Sequence, residues 1–594
     1  MSSSNLEHKR HTLAHLLAAA ILKLYPDAKR TIGPAIDNGF YFDFDFPAQK
    51  PGEEDLIKIE EMMREELLQW KVVRGEEVTA DEARAFYKNN EYKLELIDEI
   101  TEKGESLSIY TAGPEATSYK LPATSSYSDL CKGGHLDNPA KEIDPQSFTL
   151  SHIAGAYWRG DEKNTMLTRI YGLAFDTKEE LEKYINQREE AKKRDHRKIA
   201  KEQDLLVFSD LVGSGMPLWT PKGNAIRNAI IGYSRELNNE LGFGEVHTPN
   251  INKGELFKIS GHYDAYKEDM LSVRSQYVSD EMFLKPMNCP QHTQIYASHP
   301  RSYRDLPIRY SDFAVLYRDE RPGELSGLTR LRSFAQDDGH IFCREDQIES
   351  EVASVLGAIQ KALATYKISY WMRLSLRDPE NPAKFLGDPE VWEHAQNIMR
   401  ELLQKKNIEF KEAVGEAAFY GPKIDIMAVD VLGREWQIST IQLDFVQPSR
   451  FKLEYTAEDG SKKTPVMIHR ALIGSPDRFL GVLIEHYAGA FPLWLAPVQV
   501  AVLSISEKQI EFAKEVTQEL KASGIRVELD DSNESLGKKI RNAKLQKIPY
   551  LLVIGDKEVE AQSATLESRD EGNLGAHPIT TLIERFKKEI TVKK

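Results

Sequence analysis

The chain has 594 residues, too many for one hydrophobic core, so about three or four domains are expected. Its 41% hydrophobic and 29% charged residues are typical of a soluble globular protein, without a run long enough for a membrane span or a secretion signal. Three cysteines predict no disulfide framework and favour a reducing cytoplasm. The net charge of −15 excludes non-specific coating of nucleic acid, although local basic patches still allow a nucleic-acid substrate.

The first predicted element is an N-terminal helix that carries two histidines. His11 and His15 fall on the face opposite an apolar stripe, so they are not simply core residues. That stripe is formed by Leu13, Leu16, Leu17, Ala20, Ile21 and Leu24. Further along, the segment SDLCKGGH adds Asp129, Cys131 and His135. Taken alone, two histidines and a Cys-x-x-x-His set predict a tetrahedral zinc site, and surface histidines are the alternative.

A charged run at 177–205 predicts a linker helix. It contains the sequence REEAKKRDHRKIAK, which crowds basic residues between Arg188 and Lys201. Two interpretations remain open. The run is either a solvated helix held by pairs such as Glu190–Arg194 or a surface that contacts RNA.

The central region, 206–496, reads as paired strands with helices outside the pairs. The predicted hairpins join Phe313–Arg318 with Leu328–Cys343, and Lys423–Val429 with Glu435–Phe445. This pattern favours an antiparallel sheet with flanking helices.

Alternation along the second of these strands predicts a binding face. Since residues two apart share a face, Leu331, Ala335 and Ile341 line one side. The other side carries Arg330, Arg332, Phe334, Gln336, Asp338 and His340. A face that is only wetted rarely needs aromatic and imidazole groups beside a carboxylate, so we interpret it as a site.

Beyond Pro497, strands and helices alternate. The predicted strands are Val498–Ser504, Ile525–Asp530 and Tyr550–Ile554, and the predicted helices are Glu507–Ser523, Leu536–Lys547 and Ile579–Ile590. Such alternation predicts a small α/β domain with a largely parallel sheet.

An ordered set of motifs resembles the class II aminoacyl-tRNA synthetases. GFGEVHTPNI, which contains Pro249, resembles their motif 1, RDERPGELSGLTRLRSFAQDDGHIFC from Arg318 their motif 2, and GSPDRFLGVLIEHYAG from Gly474 their motif 3. Five further segments, KPMNCP, QDDGHIFC, AFYGPKID, EWQISTIQLDF and MIHRALIGS, together resemble the threonine-specific members. The resemblance begins near Glu7, so the ubiquitin-like domain with which the family often begins is expected to be absent.

The resemblance implies an α+β multidomain architecture. It comprises an α+β editing domain at 1–176, a linker helix at 177–205, a class II antiparallel sheet with flanking helices at 206–496, and an α/β anticodon-binding domain at 497–594. The implied reaction is ATP-dependent activation of threonine to threonyl-adenylate, transfer to the 3′ end of tRNA(Thr), and hydrolytic editing of seryl-tRNA(Thr). A cytoplasmic homodimer without membrane attachment is implied, with one Zn²⁺ per chain and Mg²⁺ bound with ATP.

The resemblance also assigns roles in the nucleotide site. Arg318 and Arg478 would be the catalytic residues, and a guanidinium fork suits phosphate oxygens. The implied ATP-binding residues are Arg318, Glu320, Arg330, Phe334, Gln437, Thr440 and Arg478. Within motif 3, Ser475 is a predicted N-cap and Pro476 a predicted first helical residue, which places Arg478 in the first turn.

The family's zinc ligands correspond to Cys289, His340 and His469, a set that no spacing rule would have grouped. Three protein ligands leave zinc a free position, and the metal would accept the amino and hydroxyl groups of threonine. Valine lacks that hydroxyl and would be rejected, whereas serine would pass and need a second site. The implied threonine-binding residues are Gln336, Asp338, Tyr420 and Gln442.

The remaining residues lie outside the central region. The resemblance implies an editing site formed by His11, His15, Lys93, Asp129, Cys131 and His135, which we expect to work without metal. It implies anticodon contacts at Asn533, Arg541 and Glu558. Two positions depart from the family pattern. Lys547 stands where the family commonly has arginine, and Glu567 stands where a basic residue often contacts the anticodon.

Two other functions remain open on the sequence. The chain would be an RNA-binding regulator without activity, or a zinc-dependent aminoacyl-ester hydrolase centred on the His11, His15, Cys131 and His135 cluster. Threonine-dependent exchange of pyrophosphate into ATP separates both from a ligase.

Overall fold

A computed structural model of the chain describes residues 3–115, 118–120 and 126–594. The chain divides into two compact units, an N-terminal unit, Met1–Glu189, and a C-terminal unit, Glu190–Lys594. Among the described residues, no helix is long and apolar enough to cross a membrane.

The N-terminal unit is built on a helix, Ser3–Leu24, packed against an antiparallel sheet. Phe40, Phe42 and Phe44 alternate along one strand and therefore point to the same face, where all three are buried. The five-stranded sheet contains Lys29–Arg30, Ala35–Ile36, Gly39–Asp45, Met166–Ala174 and Phe148–Tyr157, and the three-stranded sheet contains Val72–Val78, Leu107–Gly113 and Tyr127–Leu130. The other helices are Leu56–Leu67, Ala80–Phe86, Glu91–Glu102 and Pro139–Glu142.

The N-terminal helix is buried on more than the predicted stripe. The predicted stripe is buried up to Ile21, but Ala18 and Ala19 on the histidine side are buried as well. The reason is that this side also meets protein, because the ring of His15 contacts those of Phe42 and Tyr127 edge-on. The helix is therefore buried on both sides, and the alternative of surface histidines is wrong for His15, which is buried although it lies off the stripe.

The predicted linker helix is broken near its end. One helix runs over Lys178–Arg194, and a second, His196–Glu202, begins after Asp195, whose carboxylate caps the new helix by accepting from the backbone N–H of Arg197. His196 is buried, whereas Arg197 and Lys198 beside it are exposed.

An eight-stranded sheet forms the centre of the C-terminal unit. The hairpin of Lys423–Val429 with Glu435–Asp444 is present as predicted, and the interior of the sheet is antiparallel. Parallel pairs occur only at its two edges. In spatial order the strands are Gly244–Glu245, Ile308–Asp312, Asp338–Cys343, Val466–Ala471, Glu435–Asp444, Lys423–Val429, Ser369–Leu376 and Phe410–Val414.

The predicted strand Leu328–Cys343 is not continuous. Ser333–Ala335 pairs with Val315–Tyr317 in a separate ribbon, and Asp338–Cys343 enters the large sheet. The chain switches partners between them because the backbone N–H of Asp337 donates to the carbonyl of Gly474. Strict alternation therefore fails at this break.

Helices and short ribbons surround the large sheet. Among them, Pro476–His486 begins as predicted, since the Ser475 hydroxyl accepts from the backbone N–H of Arg478. The other helices are Pro221–Glu240, Gly254–Ser260, His262–Tyr266, Cys289–Ala297, Ile348–Tyr366, Pro389–Lys405 and Val446–Arg450. The short ribbons are Leu206–Val207 with Leu218–Trp219, Ile251–Lys253 with Met282–Leu284 and Ser272–Val273, and Tyr455–Thr456 with Lys462–Lys463.

One fully buried ion pair lies beneath the middle strands. The guanidinium of Arg470 donates to Asp337 at 2.7 Å and to the Asn238 side chain at 2.6 Å, and Ser234 donates to the same carboxylate. Gly339 leaves room for it, because a β-carbon there would lie 2.4 Å from the guanidinium carbon.

The last part of the chain contains a five-stranded sheet in the order Val527–Asp530, Val500–Ser504, Tyr550–Ile554, Ser563–Ser568 and Gly572–Pro578. The first three strands are parallel, as predicted, but the last two are antiparallel and were not predicted. The helices are Ile510–Ala522, Leu536–Leu545, Asp556–Glu560 and Ile579–Thr591.

We predict that Gly339→Ala destabilises the protein by about 1–3 kcal/mol, because the methyl group displaces a guanidinium that is bonded on two sides. Thermal unfolding followed by circular dichroism measures the effect. Gly357→Ala is the control. It adds a methyl group with no atom within 4 Å, in the exposed face of a helix, and should stabilise by about 0.4–1 kcal/mol. Equal melting temperatures for the two variants would contradict the prediction.

Candidate active site

A cavity of about 420 Å³ opens on the middle strands of the large sheet. Strand register explains its composition, because His340 and His469 are direct cross-strand partners. Their shared face looks toward the first turn of Cys289–Ala297. The lining includes Arg318, Glu320, Arg330, Gln336, Asp338, Tyr420, Thr440 and Gln442, in addition to Cys289, His340 and His469.

Cys289, His340 and His469 form a cluster of ligand atoms. One such atom from each side chain lies within 4.8 Å of the other two, and all three residues are buried. The Nε2 of His340 is 3.1 Å from the Nδ1 of His469. A thiol and two imidazoles at this separation are a donor set that zinc prefers.

The outer nitrogens of the two imidazoles have partners of their own. The Nε2 of His469 lies 2.9 Å from a carboxylate oxygen of Asp444, and the Nδ1 of His340 lies 2.7 Å from His292. Partners of this kind fix ring orientation and leave the inner nitrogens facing a metal. Burial raises the pKa of the Cys289 thiol well above its ordinary value, so without a cation the sulfur stays protonated.

Polar groups that suit a small amino acid surround the cluster. Burial raises the pKa of Asp338, whose carboxylate accepts from Asn288 at 3.0 Å. The Tyr420 ring stacks on His469 at 4.7 Å, and its hydroxyl donates to the Gln442 side chain. These groups face the same small volume as the predicted ligands.

A second cavity of about 370 Å³ shares Arg318, Gln336, Thr440 and Gln442 with the first. Two guanidiniums flank Phe334 there, with Arg318 at 5.2 Å and Arg478 at 4.3 Å from the ring centroid. Burial, and then the neighbouring Arg318, lower the pKa of Arg478 to about 10, and the Nε of Arg478 is buried without a partner. Two cations that share one nearby carboxylate, Glu320, predict binding of a polyanion at this position.

The other predicted nucleotide residues are held by ion pairs and hydrogen bonds. Arg330 donates to Glu320 at 2.7 Å and to Glu324 at 2.8 Å. The side chains of Gln437 and Thr440 both donate to the buried carboxylate of Asp425. Arg332, predicted on the same face, does not line either cavity.

Arg332 turns away because the strand breaks beside it. Its guanidinium donates to the backbone carbonyl of Glu320 and so closes the base of the loop instead of facing the site.

Sequence reasoning missed two residues of this site. The Asp425 carboxylate contacts the donors of Arg373, Ser375 and Lys423 as well as those of Gln437 and Thr440. Nothing in the sequence pattern of its own strand marks it as the partner of so many side chains. His262 lines the first cavity, with its Nε2 3.7 Å from the Cys289 sulfur, and burial lowers its pKa to about 3. Its position after Gly261, in a helix too short to show periodicity, gave no signal.

A separate cavity of about 390 Å³ lies in the N-terminal unit, and its lining is mainly apolar. His11 and His135 stack at 4.4 Å, and the sulfur of Cys131 is 3.5 Å and 3.2 Å from their Nε2 atoms. With His15, these residues also place one ligand atom each within 4.8 Å of the others. The structure thus brings together the four residues that the sequence analysis grouped.

The polar wall of this cavity depends on Asp129. Its buried carboxylate pairs with Lys93 at 2.8 Å and Arg30 at 3.1 Å, and accepts from the hydroxyls of Tyr87 and Tyr127. Burial alone would raise the pKa of Asp129, but the two cations bring it far below the usual range.

The side chains of the cluster itself are uncharged near pH 7. Burial raises the pKa of Cys131 to about 11 and lowers that of His135 to about 3. Burial also lowers the pKa values of His11 and His15. Neutral imidazoles and a thiol can hold a water molecule or a metal ion.

The predicted anticodon residues lie on the C-terminal sheet domain. Asn533 and Arg541 are exposed. Glu558 is half-buried, and its carboxylate accepts from Thr565 and from the backbone of Gly555. Of the two departures from the family pattern, Glu567 pairs with Lys544 at 2.7 Å.

Comparison with known proteins gives one family. Residues 272–487 match the class II core domain of the G, H, P, S and T tRNA synthetases, and residues 499–589 match an anticodon-binding domain. The chain is 47% identical to the threonine–tRNA ligase of Rubrobacter xylanophilus over 98% of this chain and 89% of that protein. It is 45% identical to that of Synechocystis over 99% and 96%.

The structure is similar to a solved one as well. The RNA-binding domain of the threonyl-tRNA synthetase from Cryptosporidium parvum superposes with a TM-score of 0.64 at 41% identity, covering 66% of this chain and 98% of that one.

We predict that Arg478→Met stabilises the ligand-free protein but weakens its stabilisation by tripolyphosphate. Methionine keeps apolar contact with Phe334 and removes one of two neighbouring cations that share the Glu320 carboxylate, whereas the anion loses a ligand. Melting temperatures with and without tripolyphosphate measure both effects, since a ligand at about 100 times its Kd adds about 2.7 kcal/mol. An unchanged tripolyphosphate shift in the variant would show that the anion binds elsewhere.

Proposed function

The chain belongs to the class II threonine–tRNA ligases, and from that premise we propose which residues carry each step. The ligase activity follows from relatives that are 43–47% identical over nearly the full length, and class II chemistry uses Mg²⁺ with ATP. The observation that carries the assignment of roles is the pair of joined cavities, one lined by a cluster of possible metal ligands and the other by two neighbouring arginines.

Adenylate formation is proposed to take place where the two cavities meet. There Arg318 would bind the α-phosphate, on which negative charge builds as the threonine carboxylate attacks. Arg478 and Arg330 would hold the outer phosphates, and Phe334 would stack on adenine. Glu320 would contact the adenine amino group, which requires it to share its carboxylate with Arg330. The buried carboxylate of Asp425 supports this side by orienting Gln437 and Thr440.

Threonine selection is proposed to rest on zinc held by Cys289, His340 and His469. The donor types, their spacing and the partnered outer nitrogens all fit that metal. When bound, zinc would supply an open coordination position for the amino and hydroxyl groups of the amino acid. Asp338, whose pKa is raised by burial, is positioned to accept the hydroxyl proton, and valine has no hydroxyl to offer.

Gln336, Tyr420 and Gln442 are proposed to hold the rest of the amino acid. Their side chains line the same cavity as the ligand cluster, and the Tyr420–Gln442 hydrogen bond fixes the orientation of the amide. Serine satisfies all these contacts, so selection at this site is incomplete and a hydrolytic site is needed.

Editing of seryl-tRNA(Thr) is proposed for the cavity of the N-terminal unit. His11, His15, Cys131 and His135 would position a water molecule, and Lys93, held by Asp129, would contact the seryl group. We propose that this site works without metal, because two buried cations already neutralise Asp129 beside it. The alternative is a zinc-dependent hydrolase, which the close approach of four ligand atoms favours.

Assembly and tRNA contacts complete the proposal. We propose a cytoplasmic homodimer formed through the motif 1 segment around Pro249, as the class II family implies. Asn533, Arg541 and Glu558 are proposed to contact the anticodon, and the Lys544–Glu567 ion pair supports a different electrostatic arrangement at one edge of that surface.

We predict that Cys289→Ala removes zinc from the purified protein and lowers threonine-dependent pyrophosphate exchange by roughly 100-fold or more, since a ligand matters at least as much as its outer partners. Elemental analysis and the exchange assay measure the two effects. Cys343→Ala is the matched control. That thiol is equally buried but lies outside the cluster, so metal and activity should persist. A parent protein with full activity and no zinc would refute the metal site.

We predict that the double variant His11→Ala, His15→Ala accumulates seryl-tRNA when serine and ATP are supplied, while threonylation continues near the parent rate. The reason is that both imidazoles lie in the cavity of the N-terminal unit and not in the nucleotide site. Deacylation of preformed seryl-tRNA measures the loss, and His152→Ala, a histidine stacked on Tyr171 in the same unit, is the control. Chelators should leave deacylation intact, and loss that added metal restores would support the zinc-dependent alternative. Parent-like deacylation by the double variant would exclude this cavity as the editing site.

A further inference from the structure

His196 connects the basic run of the linker to the nucleotide site. It is the first residue of the helix His196–Glu202 and is buried. Its Nε2 accepts from the backbone N–H of Leu328 at 3.0 Å, and its Nδ1 lies 2.6 Å from the Glu485 carboxylate. Since an amide nitrogen only donates, the ring proton must reside on Nδ1, which donates to Glu485.

The first of these bonds reaches the loop of motif 2. Leu328 is fully buried and lies two residues before Arg330, which carries the predicted phosphate contact. Gly327 has a φ of +48°, and a β-carbon there would lie 2.1 Å from the His196 Nε2. The loop therefore passes so close to the imidazole that glycine is required.

The second bond reaches the helix of motif 3. Glu485 lies in the last turn of Pro476–His486, whose first turn carries Arg478. The Glu485 carboxylate also pairs with Arg434, and Arg194 donates to the carbonyl of His486 at 3.2 Å. The imidazole thus bonds to the loop of one motif and the helix of the other.

Asp195, His196 and Glu485 also place ligand atoms close together, but they do not form a metal site. Both ring nitrogens of His196 are used, one by an N–H donor and one by a carboxylate acceptor. No lone pair on the imidazole remains for a cation.

We propose that His196 is a positioning residue for ATP binding, which holds the motif 2 loop against the motif 3 helix in the conformation that presents Arg330 to the phosphates. A neutral imidazole suits this position because it offers a donor and an acceptor at opposite edges of a rigid ring. When the acceptor is lost, the Leu328 N–H is left buried and unbonded, so the loop populates other conformations. The apparent affinity for ATP is then the intrinsic affinity multiplied by the fraction of protein whose loop stays in the binding-competent conformation. The inference rests on the proposed role of Arg330 in the ATP site.

The test compares two isosteres in threonine-dependent pyrophosphate exchange. His196→Asn keeps a donor near Glu485 but does not reach Leu328, whereas His196→Gln extends an acceptor toward it. We expect the asparagine variant to raise KM for ATP by roughly tenfold, the cost of one unsatisfied buried N–H, and the glutamine variant to recover most of that loss. KM for threonine and the melting temperature should change much less, because the Glu485 bond is kept. Lys198→Ala, an exposed residue of the same helix, is the control and should match the parent.

A second pair of variants guards against a general loss of structure. Gly327→Ala should raise KM for ATP through the same contact, and adding His196→Ala to it should cause little further loss, well short of the product of the two single effects. Multiplicative effects, or an asparagine variant that melts earlier with an unchanged KM for ATP, would overturn the proposal. Arg330→Ala distinguishes a failure of the proposed ATP site from a failure of the role proposed for His196. If it leaves KM for ATP unchanged, the proposed ATP site is wrong. If it raises KM while the His196 variants do not, only the present inference fails.

Discussion

The catalytic sheet depends on a guanidinium that never meets solvent. Arg470 pairs with Asp337 and Asn238, and so joins the strand before motif 3 to the motif 2 segment and to the helix that precedes motif 1. Removing one partner from such a pair costs about 3–5 kcal/mol, because the other charge stays buried alone. The motif 2 segment, the strand before motif 3 and the helix before motif 1 therefore hold their relative positions through one buried charge pair in addition to ordinary packing.

Around that rigid base, the active site is electrostatically incomplete without its substrates. Arg318 and Arg478 flank the same ring with a single carboxylate, Glu320, near both. The Cys289 thiol and the His340 imidazole of the other cavity are held neutral by burial, which raises the pKa of the thiol and lowers that of the imidazole. The two guanidiniums carry more charge than Glu320 balances, and a triphosphate supplies negative charge of the kind they lack. The ligand-free protein thus retains unfavourable charge interactions, which binding of the substrates relieves.

How much of this was predictable depends on the range of the interactions involved. The motif sequences identified the family and grouped residues that the structure brings together, and the N-cap at Ser475 is local and was predicted correctly. The prediction from alternation was wrong between Ala335 and Asp338, because the backbone N–H of Asp337 donates to the carbonyl of Gly474, which is distant in the sequence. The two antiparallel strands at the end of the last sheet were missed. The second of them contains Gly572 and Gly575, and both gain their order from pairing with neighbouring strands instead of from their own composition.

Residues that act through others were the least visible. Asp425 and His196 make most of their contacts with residues far away in the chain, so no spacing in the sequence marks them. Their burial and the number of donors they receive are evident only once the fold is known. Apart from His262, the residues named above that face the two joined cavities were accessible through the family motifs.

The close fit around Gly339 has a consequence for attempts to redesign the amino-acid pocket. Asp338 faces the cavity, while its two neighbours in the chain face the buried charge pair, so three successive positions belong alternately to the binding site and to the core. Libraries that vary Asp338 alone change a cavity-facing side chain and lose its hydrogen bond from Asn288, but they leave the charge pair intact. Randomising all three positions would instead produce mostly unfolded variants, because the cavity and the buried charge pair share one segment of the chain.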